Sequence, residues 1–520
     1  MKLLHDWRVL LILMPISMGI LCMFAERGMK ILCGKADKNE KWLLNPYRAW
    51  GTGFGAFFTL YGLLHRSLQG PDIYLEEEKI LNESIWWWHI SAWVMAVAIL
   101  ACVLKEISPI LWKKVLDRKL ERLIKKGERK DTPTDPESDG TGGDPQEDVV
   151  YEDFKGESIE KSIDTPAEIV PVKKARAPYD YAPELLCGFL FYFYATHIQR
   201  DPIAVLEFNT DRILSTGLGN FYRLLLSLSD GMDVKKFLAY IMPLAAVFLS
   251  VYVYHFFAKV AGLKQRERRY FVMAVYLFIL VTGIEDQWKI FNLAGYPWED
   301  RVLFASVAAP FMCAVLMEAV ALVWRVIRKE ISGKSIVYSA VRLVLHVLTV
   351  IAVFKVFGPL DHVMIETVSE GDIAGADYIG TAFVGSRLSL SQWIPVLCEI
   401  LKYYGVGRLD IVLLLVCLIL LLVKKEERTS PLLLTEGILL LILFSPMVMF
   451  PLLTTYGSDT YAGLLGILSL PQAVMYTAVR MTEAEDRPWK KALWILGFVM
   501  VIYGLVSFNT GMSGEVRGLR

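Results

Sequence analysis

Apolar segments of membrane-spanning length recur along nearly all of this chain, and no other feature constrains its fold as much. A hydrocarbon layer about 30 Å thick is crossed by roughly 20 helical residues, with shorter spans tolerated where the bilayer thins. On that rule twelve segments qualify, near 7–25, 47–65, 85–104, 182–199, 237–258, 270–284, 302–325, 336–357, 408–423, 431–453, 460–479 and 490–508. With 54% hydrophobic residues and a mean hydropathy of +0.41, the 520-residue chain holds more hydrocarbon than a soluble core of its size can hide. The expected fold is therefore an all-α polytopic bundle of about twelve spans with amphipathic interfacial helices. Aromatic rings at Trp86, Trp87, Trp88, Trp288, Trp298 and Trp489 mark several span ends, where they suit the headgroup layer.

The first segment, Val9 to Ala25, follows a short basic start, but no small-x-small cleavage site comes after it, so it reads as a retained span. The second, 47–65, is poor in aliphatics and carries Gly51, Gly53 and Gly55, a pattern that allows close helix contact. If it stays out of the bilayer the count falls to eleven and the amino terminus changes sides.

One stretch interrupts the apolar rhythm. Residues 105–130 are dense in Lys and Arg, with apolar residues at helical spacing (Ile107, Ile110, Leu111, Val115, Leu116, Leu120, Leu123, Ile124) and Lys113, Lys114, Lys119, Lys125 and Lys126 between them. Such a segment either lies on an anionic inner leaflet or continues the third span into water. Residues 131–178 then turn acidic and rich in Pro and Gly, too polar to bury a core, and read as a disordered linker. The order is a three-span module over 1–104, a basic cytosolic helix over 105–130, the linker, and a module of about nine spans over 179–520.

Placing the basic stretch in the cytosol fixes every other loop by alternation. Of the 55 Lys and Arg, 37 then fall inside and 16 outside, and without the central segment the bias persists at 22 against 16. The reading is of a bacterial plasma-membrane protein with linker 105–178 cytosolic and both termini outside. The net charge is zero, so the totals indicate no nucleic-acid partner; the bilayer, a lipid-linked substrate and a cytosolic protein docking on 105–178 are the expected partners. Seven cysteines, Cys22, Cys33, Cys102, Cys187, Cys313, Cys398 and Cys417, are odd in number and sit mostly in apolar segments, which argues against a disulfide framework, and no Cys/His cluster offers a zinc site. The Asn82 sequon matters only in a eukaryotic secretory pathway.

Two groups of residues carry candidate chemistry. Ionisable groups within spans are costly in lipid, so Glu318 and Arg342, at similar depth in consecutive antiparallel spans, form a candidate ion pair, with His346 one turn above Arg342 and Glu436 as a further member. That cluster serves either as a relay or as a pair that orients two helices. At the other face, Glu285 with Asp286 and Glu299 with Asp300 flank a short aromatic loop containing Trp288, Phe291, Tyr296 and Trp298. Four carboxylates beside flat rings suit a sugar or a divalent cation, the one cofactor the sequence leaves open. The loops 199–236 and 358–407 are long, and their apolar spacing predicts helices lying on the membrane, one of them over 389–404.

No P-loop, GxSxG elbow, HExxH, EF-hand or kinase signature is present. The sequence alone favours a cell-envelope transferase or polymerase acting on a lipid-linked glycan at the outer face. There Glu285, Asp286, Glu299 and Asp300 would act as acids, with Trp288, Trp298, Arg212, Arg223 and Arg387 holding sugar and diphosphate. Glu26 and Asp37, on the inner first loop, take no part in that site. The alternatives are a secondary transporter or lipid flippase using Glu318, Arg342 and His346, and a non-catalytic scaffold whose linker recruits a partner.

Overall fold

The computed structural model describes residues 8–34, 45–64, 182–193, 213–214, 217–229, 232–282, 295–329, 333–357, 385–403, 408–424, 430–483 and 489–500, with single positions between them. The chain divides into two units. One comprises 41–43 and 99–177 and lies outside the described residues, as do the predicted span 85–104, the basic helix 105–130 and the linker 131–178. The other takes in 1–40, 44–98 and 178–520.

Within that second unit the described chain is all-α, and no strand occurs among the described residues. Its principal helices are α1 (Met14–Leu32), α2 (Pro46–Leu64), α3 (Ala182–Phe193), α4 (Gly217–Leu228), α5 (Met242–Val260), α6 (Gln265–Thr282) and α7 (Ala309–Ile327). They are followed by α8 (Gly333–Phe357), α9 (Trp393–Tyr403), α10 (Arg408–Val423), α11 (Pro431–Leu443), α12 (Pro446–Leu465) and α13 (Leu470–Glu483).

Five helical stretches are long and apolar enough to cross a membrane: Leu11–Leu32, Val234–Val260, Asp300–Ile327, Gly333–Phe357 and Gly463–Glu483. A sixth is added if Pro431–Leu443 and Pro446–Thr455, bent by 58°, count as one span. The predicted segments 47–65 and 270–284 are helical as α2 and α6 but fall short of that test, α6 because Arg266, Glu267, Arg268 and Arg269 occupy its first turns. Segments 182–199 and 408–423 appear as shorter apolar helices. Outward-facing side chains are aliphatic: α8 exposes Val337, Val344 and Leu345, and α10 exposes Val412, Ile419 and Val423. Soluble surfaces seldom carry apolar faces this continuous, and lipid is the solvent that suits them. This is a helical membrane protein.

Besides α3, which opens with Ala182-Pro183, four helices, α1, α5, α7 and α13, carry X-Pro in their first two positions, Met14-Pro15, Met242-Pro243, Ala309-Pro310 and Leu470-Pro471. Proline has no N–H to return to the carbonyl four residues earlier, and its ring crowds that carbonyl. The turn before the first three accordingly widens to a π-turn, Val9–Leu13, Phe237–Ile241 and Phe304–Ala308, with bonds spanning five residues. The turn before the fourth tightens to a 3-10 turn, Gly466–Leu468, and ends at Ser469 in the left-handed region at φ 46°. In each π-turn an aromatic donor from another helix satisfies a carbonyl. Trp50 Nε1 bonds Leu11 O at 2.7 Å, Tyr192 Oη bonds Tyr240 O at 3.0 Å, and Tyr254 Oη bonds Ser306 O at 2.8 Å. For Pro15 and Pro310 that acceptor is the very carbonyl the proline leaves without a donor.

Close contact between α1 and α2 rests on two glycines. A Cβ on Gly53 would overlap the Pro15 carbonyl, and one on Gly19 would overlap that of Ala49. Gly51 faces the Tyr252 ring of α5 and Gly55 has open space, so the α1–α2 seam uses Gly19 and Gly53 rather than the Gly51/Gly55 pair that the motif implies. Beyond α1, α2 also packs on α5 and α8.

Helix α4, predicted to lie on the membrane, is instead part of the core. Phe221 and Tyr222 are buried, with Phe54, Phe57, Phe58 and Tyr61 of α2 around the Phe221 ring at centroid distances of 5.1 to 6.2 Å. The predicted helix over 389–404 forms as a 3-10 turn, Leu390–Gln392, followed by α9, and a Ser389/Gln392 capping box starts it. Leu390 and Ile394 remain exposed on it, as expected of an interfacial helix.

Replacing Gly53 by Val is expected to force α1 and α2 apart and lower stability by about 1–3 kcal/mol, the usual cost of overpacking. Gly55→Val is expected to change little. Thermal unfolding in detergent checks this, and equal effects at both positions would contradict it.

Candidate functional site

The candidate site grows from an antiparallel hairpin. Glu318 lies in the second half of α7, and Arg342 and His346 lie four residues apart on one face of α8, so the two basic groups stack along the same side of that helix. Arg342 Nε donates to Glu318 Oε1 at 2.6 Å, and Arg342 Nη2 grips the same oxygen. His346 Nδ1 stands 2.7 Å from Glu318 Oε2. A carboxylate held by a guanidinium can only accept, so Nδ1 carries the hydrogen. The carboxylate is nearly buried at 7% side-chain exposure, whereas Arg342 is 35% and His346 25% exposed. Phe256 and Phe311 hold the imidazole edge-on, at centroid distances of 4.9 and 6.0 Å.

The network continues toward the helix ends. The Arg342 guanidinium lies 6.0 Å from the Tyr338 ring centroid, and the Tyr338 hydroxyl donates to Glu26 Oε1 at 3.2 Å. Glu26 in turn pairs with Lys30 at 2.6 Å and with Arg48 at 2.8 Å. Ionisable groups on α1, α2, α7 and α8 thus form one run.

Two further clips share that end of the bundle. Buried Glu184 lies 3.5 Å from His255 and 3.4 Å from Arg269, joining α3 to α5 and α6. Glu267 Oε2 accepts from the Lys264 backbone N–H at 2.8 Å and lies 3.5 Å from Arg480, joining α6 to α13. Tyr476 Oη bonds Ala261 O and contacts Ser430 Oγ, both at 3.2 Å, and Lys424 Nζ bonds Arg480 O at 3.1 Å. Residues 26–30, Arg48, residues 259–269, Lys424, Ser430 and residues 480–483 therefore gather at one end. Contacts at the opposite end include Gly385 N to Thr454 O at 2.9 Å and Tyr222 Oη to Trp298 O at 3.1 Å.

The structure brings Glu318, Arg342 and His346 together and places Glu436 elsewhere. Glu436 Oε1 accepts from Cys313 Sγ at 3.3 Å. Cys313 is five residues before Glu318 on α7 and so roughly 140° around the helix from it, on the side that meets α11 rather than α8.

Of the predicted outer group, Glu285, Asp286, Trp288 and Arg212 lie outside the described residues. Trp298 is 3% exposed, so its ring faces the core and is not offered to a sugar. Glu299 and Asp300 are half-buried at the start of the helical turn Asp300–Leu303, Arg223 is half-buried on α4, and Arg387 is exposed before α9. No group of three His, Cys, Asp or Glu is placed to hold a metal among the described residues.

Sequence reasoning missed Tyr338 and the Glu26, Glu184 and Glu267 clips. Two signals were present: the i,i+4 spacing of Glu26 and Lys30, and the Glu three residues after Lys264 at the start of α6. No protein-family model, no curated protein and no solved structure matches the chain.

Removing one partner of the Glu318–Arg342 pair is expected to cost more than removing both. Glu318→Ala should destabilise by about 1–3 kcal/mol, below the cost of breaking a fully buried pair because Arg342 is one-third exposed. The Glu318→Met/Arg342→Met double variant is expected to recover most of that loss. A double-mutant cycle on unfolding in detergent measures the coupling, and additive losses would refute it.

Proposed function

We propose that this protein is a multi-pass plasma-membrane transporter that couples solute movement to protons through Glu318, Arg342 and His346. The observation that carries the reading is a single carboxylate shared between a permanent cation and a histidine, the side chain whose ordinary titration falls near neutral pH. With Glu318 ionised, both basic groups hold α8 against α7. A proton on Glu318 cancels the charge that holds Arg342, leaving the guanidinium to shift toward Tyr338 and Glu26 and loosening the hairpin. Two arrangements of one helix pair, biased by a proton, are what alternating access requires. The run from His346 past Tyr338 to Glu26 covers about 12 Å along α8, at 1.5 Å per residue, and carries polar groups from the cluster to the rim. The bend between α11 and α12 adds to this support, since interrupted helices commonly line transport pathways.

In this reading the positive-inside rule puts the rim in the cytosol. The twelve-span frame, with both termini outside, follows from the same assignment. Segment 105–178 stays on the cytosolic side as the place where a protein partner docks.

A second reading, an envelope transferase working on a lipid-linked glycan, is favoured by one observation. Glu299 and Asp300 remain partly exposed, and the 3-10 turn and α9 present Leu390 and Ile394 outward as a surface for a lipid chain. Glu285, Asp286, Glu299 and Asp300 would then supply the acids, with or without a divalent cation.

Liposomes carrying the full chain and a trapped pH-sensitive dye, challenged with a panel of organic acids, amino acids and sugars, separate the two. At least one solute is expected to drive proton movement. Glu318→Gln is expected to reduce it about a hundredfold or more, the scale of a lost proton-transfer group, while alanine at the four outer acids leaves it intact. Full proton movement in Glu318→Gln would overturn the transport reading. Loss of envelope-glycan assembly in cells carrying the four alanines would select the transferase.

A further inference from the structure

Four glutamates are buried among the described residues: Glu184, Glu267, Glu318 and Glu436. The first three each face a basic side chain from a neighbouring helix within 4 Å. Glu436 does not: among the described residues no Lys, Arg or His lies within ion-pair distance of it. Its only hydrogen bond is the one Oε1 accepts from the Cys313 thiol, while Oε2 has no partner, and the residue is 0% exposed. A bare carboxylate in this setting is strongly disfavoured, and a neutral one would carry an O–H in need of an acceptor.

Polar side chains and breaks in the backbone lie on α11 and on the segments beside it. Thr435 Oγ1 is buried without a hydrogen-bond partner, and the buried Gln472 amide faces the Tyr254 hydroxyl. Ser469, whose hydroxyl approaches the Cys313 thiol, adopts a left-handed conformation at the junction into α13. Helices α11 and α12 meet at a 58° bend, and Gly457 interrupts α12 with φ 83°. The 3-10 turn Gly466–Leu468 packs on α7, on α11 and on the π-turn Phe304–Ala308. Unwound backbone at membrane depth occurs where it lines a cavity or binds an ion.

We propose that Glu436 is the charged ligand of an occluded monovalent-cation site for H+ or Na+, built with the neutral oxygens of Thr435, Ser469 and Gln472. One carboxylate balances one positive charge. A divalent ion would call for further carboxylates, and the described residues bring none. Among the described side chains, the titratable groups on the surrounding elements are otherwise engaged, Tyr254 of α5, beside Gln472, donating to Ser306 O at 2.8 Å. Cys313 of α7 donates to Glu436, Tyr461 of α12 donates to Leu443 O at 2.8 Å, Cys417 of α10 faces Thr477, and Tyr476 of α13 bonds Ala261 O. The site is separate from Glu318 and does not depend on the transport reading, because its occupancy is measured on the isolated protein.

Dicyclohexylcarbodiimide reports on such a group. A protonated carboxyl adds across one C=N bond, its proton going to nitrogen, and rearranges to a stable acylurea, whereas an ionised or Na+-bound carboxylate does not react. Purified full-length protein in detergent would be treated at several pH values, in sodium or choline chloride, with the label on Glu436 quantified by peptide mass spectrometry. A proton site is expected to lose label about tenfold per pH unit once the group titrates, irrespective of sodium. A sodium site is expected to be protected by sodium and not by choline. Glu436→Gln should lose the label, and Glu318→Gln should keep it. If Glu436→Gln does not fold, the wild-type series decides alone. No label on Glu436 in the folded protein, or label insensitive to both pH and sodium, would overturn the proposal.

Discussion

A carboxylate carried into hydrocarbon must bring or find its counter-charge, and the described fold is arranged around that requirement. Glu26 finds Arg48, Glu318 finds Arg342 and His346, Glu184 finds Arg269 and His255, and Glu267 finds Arg480. Each pair joins two or three helices, so the clips tie α1 to α2, α7 to α8, α3 to α5 and α6, and α6 to α13 at one end. The same groups that would be intolerable singly become fasteners, because each of these four glutamates has a partner on a neighbouring helix.

Farther along the spans the constraint falls on the backbone. X-Pro at the start of α1, α5, α7 and α13 removes a hydrogen bond where no water can replace it. At Pro15 and Pro310, Trp50 and Tyr254 donate to the carbonyl so freed, and Tyr192 donates within the π-turn before Pro243. These four helices run the same way, with their prolines at the fifth to eleventh residue of each candidate span and the ionic clips toward its far end. The break around Ser469 lies beside one of these prolines, Pro471, and near it Glu436 sits without a counter-charge among the described residues. A clipped rim and a polar interruption farther along the spans suit a protein whose working parts are in its interior.

Much of this was legible in the sequence because hydropathy reads burial in lipid directly. The all-α class and the pairing of Glu318 with Arg342 and His346 follow from segment length and from helical spacing at matched depth. Other features were not legible, for physical reasons. Apolar spacing made α4 look like a helix lying on the membrane, yet Phe221 packs into the aromatic face of α2, and periodicity cannot tell a lipid-facing stripe from a protein-facing one. Glu436 resembled Glu318 in sequence, but five residues along α7 turn its contact to the opposite side. The π-turns leave as their only trace an X-Pro pair near a span's start. The outer acids beside Trp298 looked like a sugar site, but the direction of an aromatic ring is set by tertiary packing.

The central claim is that the ionic rim occupies one face of the membrane, the cytosolic one, with the loop before α9 on the other. Single cysteines at Lys264 and at Ser386, in a background lacking the native seven, test it with a membrane-impermeant maleimide. Both positions are exposed, and Gly385 is tied to Thr454 at the end away from the rim. The account expects the Ser386→Cys protein to react in intact cells and the Lys264→Cys protein to react only after permeabilisation. Labelling of both from the same side, or in the reverse order, would contradict it.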